Sequence, residues 1–177
     1  MNHRLAIASL LLVGFGLLAQ AQAPVFKRDL LVGSWKVSWE KSKLETTQPA
    51  SQLNLFRRYE DYGDGLMLHT MIIVDTAQKH AQLMLVAAVK YDGKEYPTYT
   101  GERLANRLST GKQPVETVAF KVVNPYTMEW TDRTSGKLTG TGTVALSQDG
   151  NTMTDTTRAF NPEGKQISTS ILTYEKQ

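Results

Sequence analysis

The sequence predicts an all-β protein, an antiparallel up-and-down β-barrel of about eight to ten strands. Two observations carry that prediction. First, runs rich in Thr, Val, Ile, Tyr and Trp alternate apolar and polar residues, as in Thr127-Met128-Glu129-Trp130-Thr131-Asp132 and in Leu138-Thr139-Gly140-Thr141-Gly142-Thr143-Val144-Ala145-Leu146. Period two with one apolar face means a sheet with one side to water. Second, turn-forming clusters recur between the runs: Tyr62-Gly63-Asp64-Gly65, Asp92-Gly93, Asn124-Pro125, Ser135-Gly136, Asp149-Gly150-Asn151 and Asn161-Pro162-Glu163-Gly164. Gly and Asn accept the backbone angles of tight hairpins, and Pro presets a turn entry. Hairpins in series set each strand beside the last, and such a meander has two costly edges unless it curls and closes.

The elements follow in order. Residues 1–23, MNHRLAIASLLLVGFGLLAQAQA, read as a signal peptide, with Arg4 as the positive start and an uncharged apolar run from Leu5 to Ala19. Ala19-Gln20-Ala21 and Ala21-Gln22-Ala23 both offer the small-x-small pattern of a cleavage site. The run is about 15 residues, short of the roughly 20 that span a bilayer. No cysteine follows it, which excludes a lipid anchor there. Residues 24–177 are then one domain, with no transmembrane segment after leader cleavage. Lys27-Arg28-Asp29-Leu30-Leu31 reads as one helical turn. Candidate strands follow at 33–40, 52–60, 66–74, 80–91, 94–99, 116–123, 126–133, 137–147, 151–160 and 165–175. Leu104 and Leu108 stand at a helical spacing within 102–108, a stretch that also fits a short irregular strand.

Composition excludes several functions. The chain has no cysteine, so an exported protein of this kind is held by burial and backbone pairing alone, without thiol chemistry or cysteine metal sites. Without Arg4 the chain carries 19 Lys and Arg against 17 Asp and Glu, scattered with no basic stripe. Nucleic-acid binding would require such a stripe.

Gly33-Ser34-Trp35 opens the first strand. The bare glycine permits a tight entry and close backbone approach at a barrel's closed end, and Trp35 supplies a large apolar plug with one donor to satisfy. This G-x-W start after a helical turn resembles that of the lipocalin-like proteins. A wider set matches too: Trp35-Lys36, Glu40-Lys41-Ser42-Lys43, Lys90-Tyr91-Asp92-Gly93-Lys94-Glu95-Tyr96-Pro97, Ser147-Gln148-Asp149-Gly150 and Tyr174-Glu175-Lys176-Gln177. It resembles a family of small exported bacterial lipocalin-like (calycin-type) proteins of unassigned activity, over essentially all of residues 24–177. The resemblance implies a closed antiparallel barrel with a central cavity. Lipocalins proper carry a late Arg packed on the first Trp; here the nearest basic residue is Lys176. They often carry an aromatic after Thr-Asp, where this chain has Arg133 after Thr131-Asp132.

Other patterns carry less. Gly140-Thr141-Gly142-Thr143-Val144-Ala145 mimics a dinucleotide fingerprint, but it lies within one Thr-rich strand with no helix after it; its glycines there bend the strand or leave cavity space. Ser38-Trp39-Glu40-Lys41 lacks the helical spacing and companion motifs of serine acyl transfer. With a hairpin centred near Ala77, Val74 pairs with His80 and His69 with Leu85, so the two histidines fall far apart on opposite faces and share no metal.

Arg57 sits in Leu53-Asn54-Leu55-Phe56-Arg57-Arg58-Tyr59, on the face of Leu53, Leu55 and Tyr59. An interior arginine is costly unless paired, and its planar fork suits a ligand carboxylate or a rim acid such as Glu116 or Asp132. Arg158, read on one face with Thr156 and Phe160, is a second candidate. Tyr59, Phe120, Tyr126, Met128 and Trp130 are candidate cavity linings.

These readings converge on an exported, periplasmic or secreted binding module that holds a small apolar or amphipathic ligand without enzymatic chemistry. Two alternatives remain: an envelope structural or interaction domain with a filled core, and a lipid-directed enzyme, for which no nucleophile–base pair is visible. No cofactor, metal site or protein partner is indicated.

Overall fold

The computed structural model describes residues 24–44, 53–77, 79–101 and 116–177, with backbone alone at His80 and Gln82. The leader and the 102–108 stretch lie outside the described residues. A short helix α1 (Arg28–Leu31) precedes β1 (Gly33–Val37), a 3-10 turn at Trp39–Lys41 and the two-residue β2 (Lys43–Leu44). Nine more strands follow: β3 (Leu53–Asp61), β4 (Met67–Asp75), β5 (His80–Val89), β6 (Asp92–Thr100), β7 (Glu116–Asn124), β8 (Thr127–Thr134), β9 (Lys137–Leu146), β10 (Thr152–Phe160) and β11 (Gln166–Lys176). From β3 to β11 each strand pairs antiparallel with the next, β1 pairs with β3, and β1 also pairs with β11. The sheet is thereby closed into a ten-strand barrel and its main edges are removed.

The strand predicted over 33–40 stops at Val37. Val37 faces Tyr174 and Lys43 faces Ile171, so six steps along one strand match three along the other. The 3-10 turn takes up the difference, with the Ser38 amide bonded to the Thr173 carbonyl at 2.8 Å. β2 is thus the continuation of β1 beyond an interruption. The β4–β5 register also departs from expectation: Asp75 faces His80, one residue off at the turn, and the bulge at Ile73/Val74 adds a second, so His69 faces Ala87. The β8–β9 hairpin follows its turn chemistry. Ser135 and Gly136 have φ of 51° and 77°, the two left-handed positions that match a hairpin's twist.

Alternation decides which side chains fill the barrel. Leu53, Leu55 and Tyr59 are buried on β3, whereas Phe56 points outward. One end of the barrel is packed solid. Trp35, Tyr174, Leu31, Met67, Met128, Met153 and Val89 are essentially inaccessible there. α1 lies across this end with its final carbonyls satisfied by side chains: Trp35 Nε1 donates to the Leu31 carbonyl at 2.8 Å and Lys176 Nζ to the Leu30 carbonyl at 2.8 Å. A cation suits that end of a helix, where the carbonyl dipoles point. Lys176 also stands 5.3 Å from the Trp35 ring, so this lysine packs on the first tryptophan where lipocalins proper place an arginine. Gly33 has φ of +129°, and a Cβ there would come within 3.0 Å of Lys176 Cε. The left-handed backbone is what requires glycine at that corner.

Candidate functional site

Above the packed end the barrel is hollow. A cavity of about 510 Å³ occupies its other half, within the range of small-molecule sites. Its walls differ. β3, β4 and β5 contribute Leu53, Leu55, Met71, Ile73, Leu83 and Leu85, whereas β6 to β10 contribute Thr98, Thr100, Thr117, Thr134, Thr139 and Thr157. One wall is hydrocarbon and the other offers hydroxyls. The split follows from composition: the cavity-lining positions of β5 and of the outer part of β4 are mainly aliphatic, whereas β6 to β10 intersperse threonines among Val118, Phe120 and Trp130. At the rim, Trp39 Nε1 donates to the Leu53 carbonyl at 2.6 Å, which fixes the indole of the 3-10 turn against the cavity.

The floor is a polar lattice. Arg57 reaches from β3 across β1 and β11 to Asp155 on β10, with Nη2 to Oδ2 at 2.5 Å. Trp130 Nε1 donates to the other Asp155 oxygen at 3.0 Å, and Arg57 Nη1 donates to the Tyr59 hydroxyl at 3.3 Å. The guanidinium also lies over the Tyr174 ring, 4.8 Å from its centroid. Burial works against the Arg57 charge, but Tyr174, Tyr59 and Asp155 outweigh it and hold the group well above its ordinary range. Two carboxylate oxygens are thus met by two donors, the arrangement a buried ion pair needs to be tolerated. Trp130 owes its position to Gly142 and Gly140 opposite. A Cβ on Gly142 would fall within 2.6 Å of the indole, so the glycines make room for the ring.

Beside this lattice, His69 Nε2 and the Tyr91 hydroxyl lie 2.8 Å apart, and the imidazole meets Tyr59 and Phe120 edge-on at 4.6 and 4.9 Å. Burial, then the nearby Arg57, lowers its pKa to about 3, so it is neutral. Asp132 on β8 has a different setting. It lines the cavity and makes no hydrogen bond or ion pair with any described residue. Burial raises its pKa to about 7, Asp155 adds to the rise, Arg57 opposes it, and Glu116 contributes further.

Of the residues singled out from the sequence, Arg57, Tyr59, Phe120 and Trp130 border the cavity. Arg57 does so with its fork occupied, and its partner is Asp155 rather than Glu116 or Asp132. Met128 lies below the floor in the packed core. Tyr126 sits in the turn between β7 and β8 at the closed end, where its hydroxyl accepts from Lys27 Nζ at 2.6 Å. Arg158 is exposed on the outer face, because Asp155 and Thr157 take the inward positions of β10. Gly33 and Trp35 stand at the sealed end. Asp155 escapes the sequence reading, although it shares its inward parity with Met153. Among the described residues no group of three or more His, Cys, Asp or Glu is placed to hold a metal ion. No described helix is long and apolar enough to cross a membrane.

No family model matches the chain, and no curated protein matches it in sequence. Solved structures do resemble it. A point mutant of the fluorescent protein UnaG superposes with a TM-score of 0.54 at 10% identity, over 85% of this chain and 98% of that one. Rv2717c from M. tuberculosis superposes with a TM-score of 0.52 at 11% identity, over 85% and 94%. At such identities the likeness concerns the fold alone: a closed antiparallel β-barrel.

Proposed function

We propose that this chain is an exported barrel that holds a small apolar or amphipathic molecule in its cavity and performs no chemistry on it. The observation that carries the reading is the cavity itself: about 510 Å³, floored by the Arg57–Asp155–Trp130 polar lattice, with a mainly aliphatic β3–β5 side and a far side that mixes threonines with apolar residues. A core meant only for stability would fill that space, because voids forfeit packing energy. Similarity in fold to UnaG and Rv2717c supports a barrel able to enclose a ligand. Export rests on the leader pattern of residues 1–23. The test is titration of the purified barrel with Nile red, an uncharged dye that brightens in apolar surroundings. We expect saturable, one-to-one binding that is lost in Leu85→Trp, which fills the cavity from β5. A dye that ignores the barrel, or binds the variant equally well, would favour an interaction domain instead. For export, the protein recovered from outside the cytoplasm should begin at Pro24.

A further inference from the structure

Among the described residues lining the cavity, Asp132 is the charge left without a hydrogen bond or ion pair; Glu116, which lines it too, has a partner. Arg57 and Asp155 neutralise each other across the floor. Arg133 at the cavity edge is engaged by Glu95 at 3.2 Å and by the Gly136 carbonyl at 3.2 Å. His69 is neutral and bonded to Tyr91. Asp132 faces the same space with no hydrogen-bond donor from any described residue. It stands on the threonine wall, opposite the aliphatic wall of β3–β5. A largely buried carboxylate without a donor is a costly arrangement that a cationic donor would relieve. Building on the binding function proposed above, we infer that the ligand is an amphipathic amine, its hydrocarbon body on the β3–β5 wall and its ammonium on Asp132. This departs from the expectation that Arg57 receives a carboxylate. Both Nη groups of that arginine are already committed, which leaves only its buried Nε without a partner, and Asp155, Asp132 and Glu116 together disfavour another anion.

The experiment is competition against Nile red by three molecules with the same ten-carbon tail and different heads: decylamine, decanol and decanoate, at about pH 8, where amine and acid are both charged. We expect decylamine to compete at about ten- to hundredfold lower concentration than decanoate, with decanol between them. In Asp132→Asn and Asp132→Ser, decylamine should fall to the level of decanol while Nile red still binds, which shows an intact cavity. Decanoate competing best, or equal competition by all three, would overturn the amine assignment and leave the binding function standing. An amine preference that survives both variants would remove Asp132 from the role. Failure of Nile red to bind the wild-type barrel would defeat the binding function, and this inference with it.

Discussion

The Asp132 carboxyl should make the protein less stable as pH rises. Its pKa is raised from 3.8 to about 7 in the folded barrel. Below about pH 4 it is protonated in both states and contributes no pH dependence. Between about pH 4 and pH 7 the folded form holds a proton that the unfolded form has released, so stability falls as pH climbs, and it levels off above pH 7. By proton linkage, a displacement from 3.8 to about 7 corresponds to at most about 4 kcal/mol. The carboxylate borders a cavity that admits water, which screens part of that penalty, so about 2 kcal/mol is the expected effect. Asp132→Asn keeps the shape and removes the titration. Urea unfolding of both proteins at about pH 4, 5.5, 7 and 8 isolates this carboxyl, since every other titrating group is common to the pair. The variant should gain on the wild type steadily across that range, reaching about 2 kcal/mol at neutral pH. A difference that stays flat from about pH 4 to 8 would mean that Asp132 is well solvated or paired, and the reasoning about the cavity's unanswered charge would fail with it.

Three other outcomes are expected. Arg57→Met strands Asp155 with the indole donor alone and should cost about 3 kcal/mol or more in chemical denaturation, while Arg57→Met with Asp155→Leu should recover most of the loss; additive effects of the two changes would show that the pair is not coupled. His69, with its pKa lowered to about 3 by burial and Arg57, stabilises the fold above about pH 6.5 and loses that contribution as pH falls toward 3. His69→Phe should therefore resist acid better, retaining about 2 kcal/mol more than the wild type does between about pH 7 and 4, and an unchanged acid transition would contradict this. Gly142→Ala pushes a methyl into the Trp130 ring and the Thr156 carbonyl and should cost about 2 kcal/mol, with a shift in tryptophan emission; wild-type melting would show that the ring has room to move.

The barrel was legible because hairpin chemistry is local. Ser135-Gly136 announces a two-residue turn, and alternation on either side sets the faces, so β8 and β9 emerge within a residue or two of their bounds. What could not be read is what depends on distant partners. Val37 and Lys43 look like one run, and only the opposed strand β11 shows that three residues drop out of register. The histidine pairing slips by two residues, one set at the turn and one at a bulge that has no reliable signature in Ile72-Ile73-Val74. Arg57 was legible as an inward charge, since it shares parity with Leu55 and Tyr59, but its partner lies 98 residues away, across two intervening strands. Arg158 reads as inward from the sequence because Thr on both sides of a strand leaves parity undecided; Met153 and Asp155 settle it only once β10 is seen against Leu146 and Val144.

The contact between β1 and β11 differs in kind from the other pairings of the barrel. From β3 to β11 every neighbour is the next strand along the chain, and those ribbons can zip locally within microseconds of the turns forming. The joint of Trp35 with Lys176 brings together residues 141 positions apart, and the entropy of closing so long a loop is met in a single late step. Without that joint the sheet would keep two bare margins, and the tryptophan plug, the lysine over it and the short helix would have no seat. Closure and sealing of the end are therefore one event.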